Sequence, residues 1–360
     1  MKLIAIAAGL LVLGNLVAPN FSLQALSISS AVVGTTVSGF VSTQTLSSSL
    51  TERKTLGRAT CGVAGMQASM FEVMSKSVAE ATGQVSVQLK SAGSGFGGGG
   101  GAAVGTVEDA ATGKRYFYKS GSLAQFDMLR AEYMGVKAMH DTHTIRVPEP
   151  ICIGTADYNS FVVFEHLPMG GHGDPARAGR ELAAMHRNLS PNGQFGFDIS
   201  NTCGATPQPN PWTPTWAEFW DRHRLGHMLS LAKRDGAVFP DEERLRKKVY
   251  DILSAHNPVP SLVHGDLWSG NQAYTKNGDP VIFDPATYYG DREVDIAMTY
   301  LFGSQASSYY QAYEQEWPLQ PGFEQRKVIY NLYHILNHFV LFGGGYLSQA
   351  NSMIHKILSF

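Results

Sequence analysis

The chain has 360 residues, with 28 Lys+Arg against 30 Asp+Glu and a formal net charge of -2. That balance excludes a broadly basic surface for nucleic acid or anionic lipid. Cys61, Cys152 and Cys203 are too few and too scattered for a disulfide framework or a zinc ribbon, and read as reduced structural thiols.

The charge is unevenly spread, because residues 1–50 hold a single charged side chain, Lys2. After Met1-Lys2 comes an apolar run from Leu3 to Gly14. It is shorter than the roughly 20 apolar residues that span a bilayer, so no stable membrane insertion is expected, but it suits the core of a signal peptide. Phe21 to Thr51 is rich in Ser and Thr and lacks acids, and basic residues arrive late, at Arg53, Lys54 and Arg58. That tract has the composition of a transit peptide. Residues 1–60 therefore read as a targeting segment, removed on delivery to a plastid through the secretory route. A plain signal peptide followed by a disordered spacer is the alternative.

The body is expected to divide into residues 61–167 and 168–360. Val85, Val87 and Leu89 alternate with polar residues, as in a strand. A glycine-rich stretch runs from Ser91 to Gly101, and a second apolar run and a turn at Thr112-Gly113 follow. Arg115 to Lys119 reads as another strand. Phe126, Leu129, Tyr133, Val136 and Met139 predict a helix over 126–140. Pro148 and Pro150 break the chain, and Phe161 to Glu165 is a buried strand by its β-branched and aromatic content. This is a small β-rich lobe with one helix.

Beyond Pro168 helical patterns dominate. Helices are predicted over 178–186, 216–231 and 241–255, short strands and loops over 261–285, and closing helices over 294–302 and 325–342. The fold class is α+β, with two lobes and a crevice between them.

Four pieces carry chemistry. Gly95, Gly97 and Gly100 fit a nucleotide loop, since backbone N–H groups without a Cβ in the way approach phosphates closely. Lys119 ends an apolar strand, and Glu132 on the next helix would hold it as a phosphate-pairing lysine. His264-Gly265-Asp266-Leu267-Trp268-Ser269-Gly270-Asn271 matches the kinase catalytic-loop pattern. Asp266 would orient and deprotonate an attacking hydroxyl, Asn271 would hold a metal ion, and Trp268 would offer an aromatic face to a sugar or amine. Val281-Ile282-Phe283 runs into Asp284, and a hairpin would return that acid to the site as a second Mg²⁺ ligand. A carboxylate directly after three apolar residues is costly to bury without a cation or a hydrogen-bond partner.

HGDLWSGN at 264–271, with DPATYYGDREVD at 284–295, closely resembles the fructosamine kinases, also called ketosamine 3-kinases. Further matches are Arg146-Val147-Pro148 with Pro150, Phe195-Gly196-Phe197, Thr206 to Asn210, Leu336-Asn337-His338 and Phe342-Gly343-Gly344. The resemblance runs from about Gly83 to Leu358. It implies a protein-kinase-like two-lobe fold with ATP and Mg²⁺, and phosphorylation of the sugar 3-hydroxyl of ketosamine adducts. Those adducts are glycated proteins or small ketosamines, and the 3-phosphate releases the amine. The resemblance also places Glu165 at the hinge, contacting adenine through its backbone, and Asp291, Arg292, Glu293 and Asp295 as braces for the metal loop or the final helices. The chain departs from the family loop in having Ala102 and Ala103 after its glycines, where a polar residue is usual. Ribulosamine and fructosamine adducts both stay open. A small-molecule kinase of the aminoglycoside or choline type is the alternative function. A pseudokinase is disfavoured, since Lys119, Asp266, Asn271 and Asp284 are all present.

His334 and His338 have the i, i+4 spacing of zinc ligands but no accompanying HExxH glutamate, and read as helix-packing residues. Trp212, Trp216, Phe219 and Trp220 read as a core stripe or as pocket lining.

Overall fold

The structure is a computed structural model that describes residues 63–95 and 101–360. The targeting segment at 1–60 and the loop glycines Gly97 and Gly100 lie outside the described residues.

The first lobe is a five-stranded antiparallel sheet in the order β1-β2-β3-β5-β4. Its strands are β1 (Leu89–Gly95), β2 (Ala103–Asp109), β3 (Arg115–Ser122), β4 (Pro150–Ala156) and β5 (Asn159–Glu165). Two helices serve it, α1 (Val63–Thr82) and α2 (Phe126–His140). The sequence reading anticipates only α2. Met70, Met74 and Val78 of α1 recur every four residues and form one stripe. That stripe packs on Val107, Tyr116, Ile151, Phe161 and Val163. The Ser75 hydroxyl accepts from the Leu89 N–H at 3.0 Å, fixing the start of β1 to the helix.

Side chains of a strand alternate between faces. Phe161 and Val163 therefore meet α1, while Val162 and Phe164 join the core on the α2 side. The same parity on β3 sends Tyr116 toward α1 and leaves Phe117 and Lys119 on the α2 side. Two expectations change here. Val85 is fully exposed and the first strand begins only at Leu89. Pro150, expected only to break the chain, starts β4, an edge strand, where a missing N–H costs no ladder bond.

The second lobe contains α3 (Pro175–His186), α4 (Trp216–Trp220), a π-helical turn at Asp221–Leu225, α5 (Gly226–Arg234) and α6 (Glu242–His256). After these come α7 (Glu293–Thr299), α8 (Ser307–Glu316), α9 (Phe323–Phe342) and α10 (Tyr346–Leu358). Short strands β6 (Asn201–Cys203) and β7 (Thr206–Gln208) form one hairpin, and β9 (Gln272–Tyr274) and β10 (Pro280–Ile282) another. β8 (Ser261–Val263) pairs with β11 (Tyr288–Gly290). α8 and α10 were not anticipated, so the chain closes on α10 and not on α9. Trp216, Phe219 and Trp220 are buried in the core. No helix among the described residues is long and apolar enough to cross a membrane.

Candidate active site

Lys119 is only 3% exposed and lies between two carboxylates. Its Nζ is 2.7 Å from Glu132 Oε1 of α2 and 2.8 Å from Asp284 Oδ1 of the second lobe. Burial acts against the ammonium charge, but Glu132 and Asp284 outweigh it, so the group is held above the usual lysine range. α2 comes close to the second lobe because Gly135 carries no side chain; a Cβ there would stand 3.1 Å from Thr287.

The loop after β8 is shaped by its backbone. Gly265 has φ +82°, and a Cβ there would collide with the Ala286 carbonyl, so glycine is required. The Asp295 carboxylate of α7 accepts from the His264 N–H at 2.7 Å and the Gly265 N–H at 2.9 Å. The His186 Nε2 donates to Asp295 at 3.1 Å, and the Tyr313 hydroxyl stands 2.8 Å from His186 Nδ1. Burial alone would raise the Asp295 carboxyl, but the bonds from His186 and the Gly265 N–H hold it below the usual range. His264 Nε2 donates to the Phe283 carbonyl at 2.9 Å, which leaves Nδ1 to accept from the Asp266 N–H at 3.2 Å.

Asn271 ends the 3₁₀ turn Ser269–Asn271. Its amide donates to the Asp266 carbonyl at 2.9 Å and the Asp284 carbonyl at 3.3 Å. The β9–β10 hairpin returns the chain to this point, and Asp284 sits at φ +55°, a strained setting for a non-glycine residue. The Asp266 carboxyl is raised to about 7, first by burial, then by the carboxylates of Asp284 and Asp295. A cavity of about 160 Å³ is lined by Lys119, Glu132, Asp266, Trp268, Asn271 and Asp284. The Trp268 ring lies on Gly270, where a Cβ would collide with it.

A larger cavity of about 600 Å³ lies beside the first and shares Glu132 and Asp284 with it; Phe164, Glu165, His166 and Leu167 also line it. Glu165 thus reaches the expected crevice. Its N–H, however, donates to the Glu149 carbonyl at 2.8 Å, and its carboxylate pairs with Arg146. The Glu165 N–H is therefore not available to a bound base. Gly95 closes β1 opposite Val104 of β2.

The sequence reading missed Asn201, Thr202 and Gly204, which line the smaller cavity. Asn201 also belongs to a buried amide network. Its amide donates to the Thr287 carbonyl at 2.8 Å, and Gln208 donates to Asn201 Oδ1 at 2.8 Å and to the Ala286 carbonyl at 3.0 Å. These bonds fix the residues that follow Asp284. The run Asn201 to Pro211, with amides at Asn201, Gln208 and Asn210 interleaved with Gly204, Pro207 and Pro209, was the available signal.

The site offers an amide and a carboxylate with hard oxygen donors, a buried ammonium and a carboxylate of raised basicity, all facing one crevice. This donor set suits a small divalent cation with phosphate groups.

The family model for fructosamine kinase matches residues 70–360. A Synechocystis chain named "probable ketoamine kinase" is 51% identical over 247 residues, covering 68% of this chain and 83% of its own length. A protein-ribulosamine 3-kinase of Oryza sativa subsp. japonica, described as chloroplastic, is 41% identical over 248 residues, covering 68% of this chain and 72% of its own. A crystal structure assigned as a fructosamine-3-kinase from Haemophilus somnus superposes with a TM-score of 0.74 at 30% identity, covering 82% of this chain and 98% of that one.

Proposed function

The chain belongs to the fructosamine kinase family, and on that premise we propose that it phosphorylates the sugar 3-hydroxyl of ketosamine adducts on protein lysines, with ATP as donor. The observation that carries the reading is the meeting of Lys119, Glu132 and Asp284 within ion-pair distance, in a cavity that Asp266 also lines. Lys119, held charged, pairs with donor phosphates in the crevice. The residues that would hold Mg²⁺ are Asn271 and Asp284; bound there, the cation neutralises phosphate charge. Asp266 orients the sugar hydroxyl and accepts its proton, a task suited to a carboxyl raised toward neutrality. Trp268 offers its ring to the sugar. Glycine loop residues Gly95, Gly97 and Gly100 would cover the phosphates, and Glu165 would mark the adenine end.

The test is ATP-dependent phosphorylation by the full chain of lysine adducts carrying ribulose, erythrulose or fructose, beside choline and kanamycin. Turnover of at least one ketoamine is expected. Turnover of the free amines alone would overturn the reading in favour of a small-molecule kinase.

The composition of residues 1–60 and the chloroplastic plant relatives support a plastid address. A reporter fused to residues 1–60 should accumulate in plastids, and a cytosolic reporter refutes that address.

A further inference from the structure

Beneath Asp266 lie two side chains to which the phosphoryl-transfer reading gives no task. Cys203 ends β6 between Thr202 and Gly204, which line the smaller cavity, and is itself 2% exposed. His334, in the middle of α9, is 4% exposed. Its Nδ1 has no hydrogen-bond partner and stands 3.9 Å from Asp266 Oδ1. An orphaned ring nitrogen in a buried setting is a cost that a ligand would remove. One ligand atom each from Cys203, Asp266 and His334 lie within 4.8 Å of one another.

We propose that Cys203, His334 and Asp266 form a capture site for a zinc-class divalent cation, and that the captured cation inhibits the kinase. Sulfur, imidazole nitrogen and one carboxylate oxygen are a donor set for Zn²⁺ and not for Mg²⁺, which prefers oxygen alone. With Zn–ligand bonds of about 2.0–2.3 Å, tetrahedral donors stand about 3.3–3.8 Å apart. The three groups, within 4.8 Å of one another, therefore need to close by at most about 1–1.5 Å. In the neutral tautomer with its proton on Nε2, the unpartnered Nδ1 of His334 turns its lone pair toward Asp266 Oδ1. Burial and then the Asp266 charge push the Cys203 thiol up, so metal binding must release the thiol proton to solvent. The positive neighbour is Arg224, which stacks 4.1 Å from the Tyr288 ring and donates to Asn210 Oδ1. Against it stand the carboxylates of Asp266, Asp284 and Asp295.

The inhibition half of this proposal rests on the reading of Asp266 as the base, since a cation bound to one oxygen of that carboxylate withdraws its charge and lowers the basicity with which it accepts the proton. The binding half does not. Neither histidine spacing nor cysteine spacing along the chain points to the site; the fold brings β6, the loop after β8 and α9 together.

The experiment has two arms, both on the full chain in a thiol-free reductant. In the first, Co²⁺ is titrated as a spectroscopic probe. One equivalent should bind with a thiolate-to-cobalt charge-transfer band, and Zn²⁺ should displace it. The band should survive in the Cys61→Ser, Cys152→Ser double variant, where Cys203 is the sole thiol, and vanish in Cys203→Ser. In the second arm, kinase turnover is measured against Zn²⁺ at saturating Mg²⁺. Cys203→Ser and His334→Gln should each raise the half-inhibitory Zn²⁺ concentration by at least about 100-fold, beyond the effect of losing a supporting residue. Absence of the band in the wild-type chain, its persistence in Cys203→Ser, or an unchanged half-inhibitory concentration in both variants overturns the proposal. If no acceptor is phosphorylated, the kinase reading fails by itself while the cobalt band still decides the site.

Discussion

Changing Asp266 to Asn should lower kcat on a ketoamine by about 10²–10⁴-fold, the usual contribution of a positioned general base. The variant keeps the size of the side chain, and the Asp266 carbonyl that accepts from Asn271 at 2.9 Å belongs to the backbone. The loop should therefore keep its shape. What disappears is a carboxylate whose basicity is raised by burial and by Asp284 and Asp295. Because the loss falls on proton transfer, nucleotide affinity should change little, and kcat and kcat/KM for the acceptor should fall together. Steady-state kinetics on ribulose-lysine, with nucleotide binding measured separately by calorimetry, reads both quantities. A variant retaining more than about a tenth of the wild-type kcat would remove Asp266 from the role of base.

Lys119→Met should act on two quantities at once. Without the ammonium, Glu132, whose side chain is 16% exposed, loses its ion-pair partner at 2.7 Å, while the half-exposed Asp284 carboxylate that also pairs with Lys119 is left to solvent. Breaking one side of a buried pair costs about 3–5 kcal/mol, visible as a lower denaturation midpoint. Turnover should fall by about 10²–10³-fold, the effect of removing one preorganised donor from developing charge. A second substitution separates the two effects. In Lys119→Met, Glu132→Gln the stranded charge is gone, so stability should recover toward the wild type while turnover stays low. If stability is unchanged in the single variant, the pair contributes nothing to the fold. If turnover recovers in the double variant, the lysine has no direct part in the reaction.

The elements that the sequence made legible were those with a local signature. The stripe Phe126, Leu129, Tyr133, Val136, Met139 marks α2 to its observed bounds, Phe126–His140. The spacing from Asp266 to Asp284 implied a hairpin, and β9–β10 is that hairpin. α1 was less legible because the buried apolar residues among its described side chains are Met70, Met74 and Val78 alone, next to a stretch with the composition of a leader. β4 was hidden by Pro150, whose missing N–H matters in a central strand but not at an edge. The partners of Asp266 were not legible, since Cys203, His334 and Asp295 come from positions 63 residues before to 68 after it (266 − 203 and 334 − 266) and meet only through tertiary packing.

The Asp295 carboxylate grips two successive backbone N–H groups beside Asp266 and is itself held by His186 and, through it, Tyr313. Every one of these groups is buried. The backbone next to Asp266, the proposed base, is therefore immobilised when the chain folds, and on that proposal the entropy of ordering it is not lost again at each encounter with substrate. On the proposed function, an acceptor would meet a rigid die, and discrimination among sugars would fall to the fit of the sugar against the cavity wall and not to any adjustment of the loop.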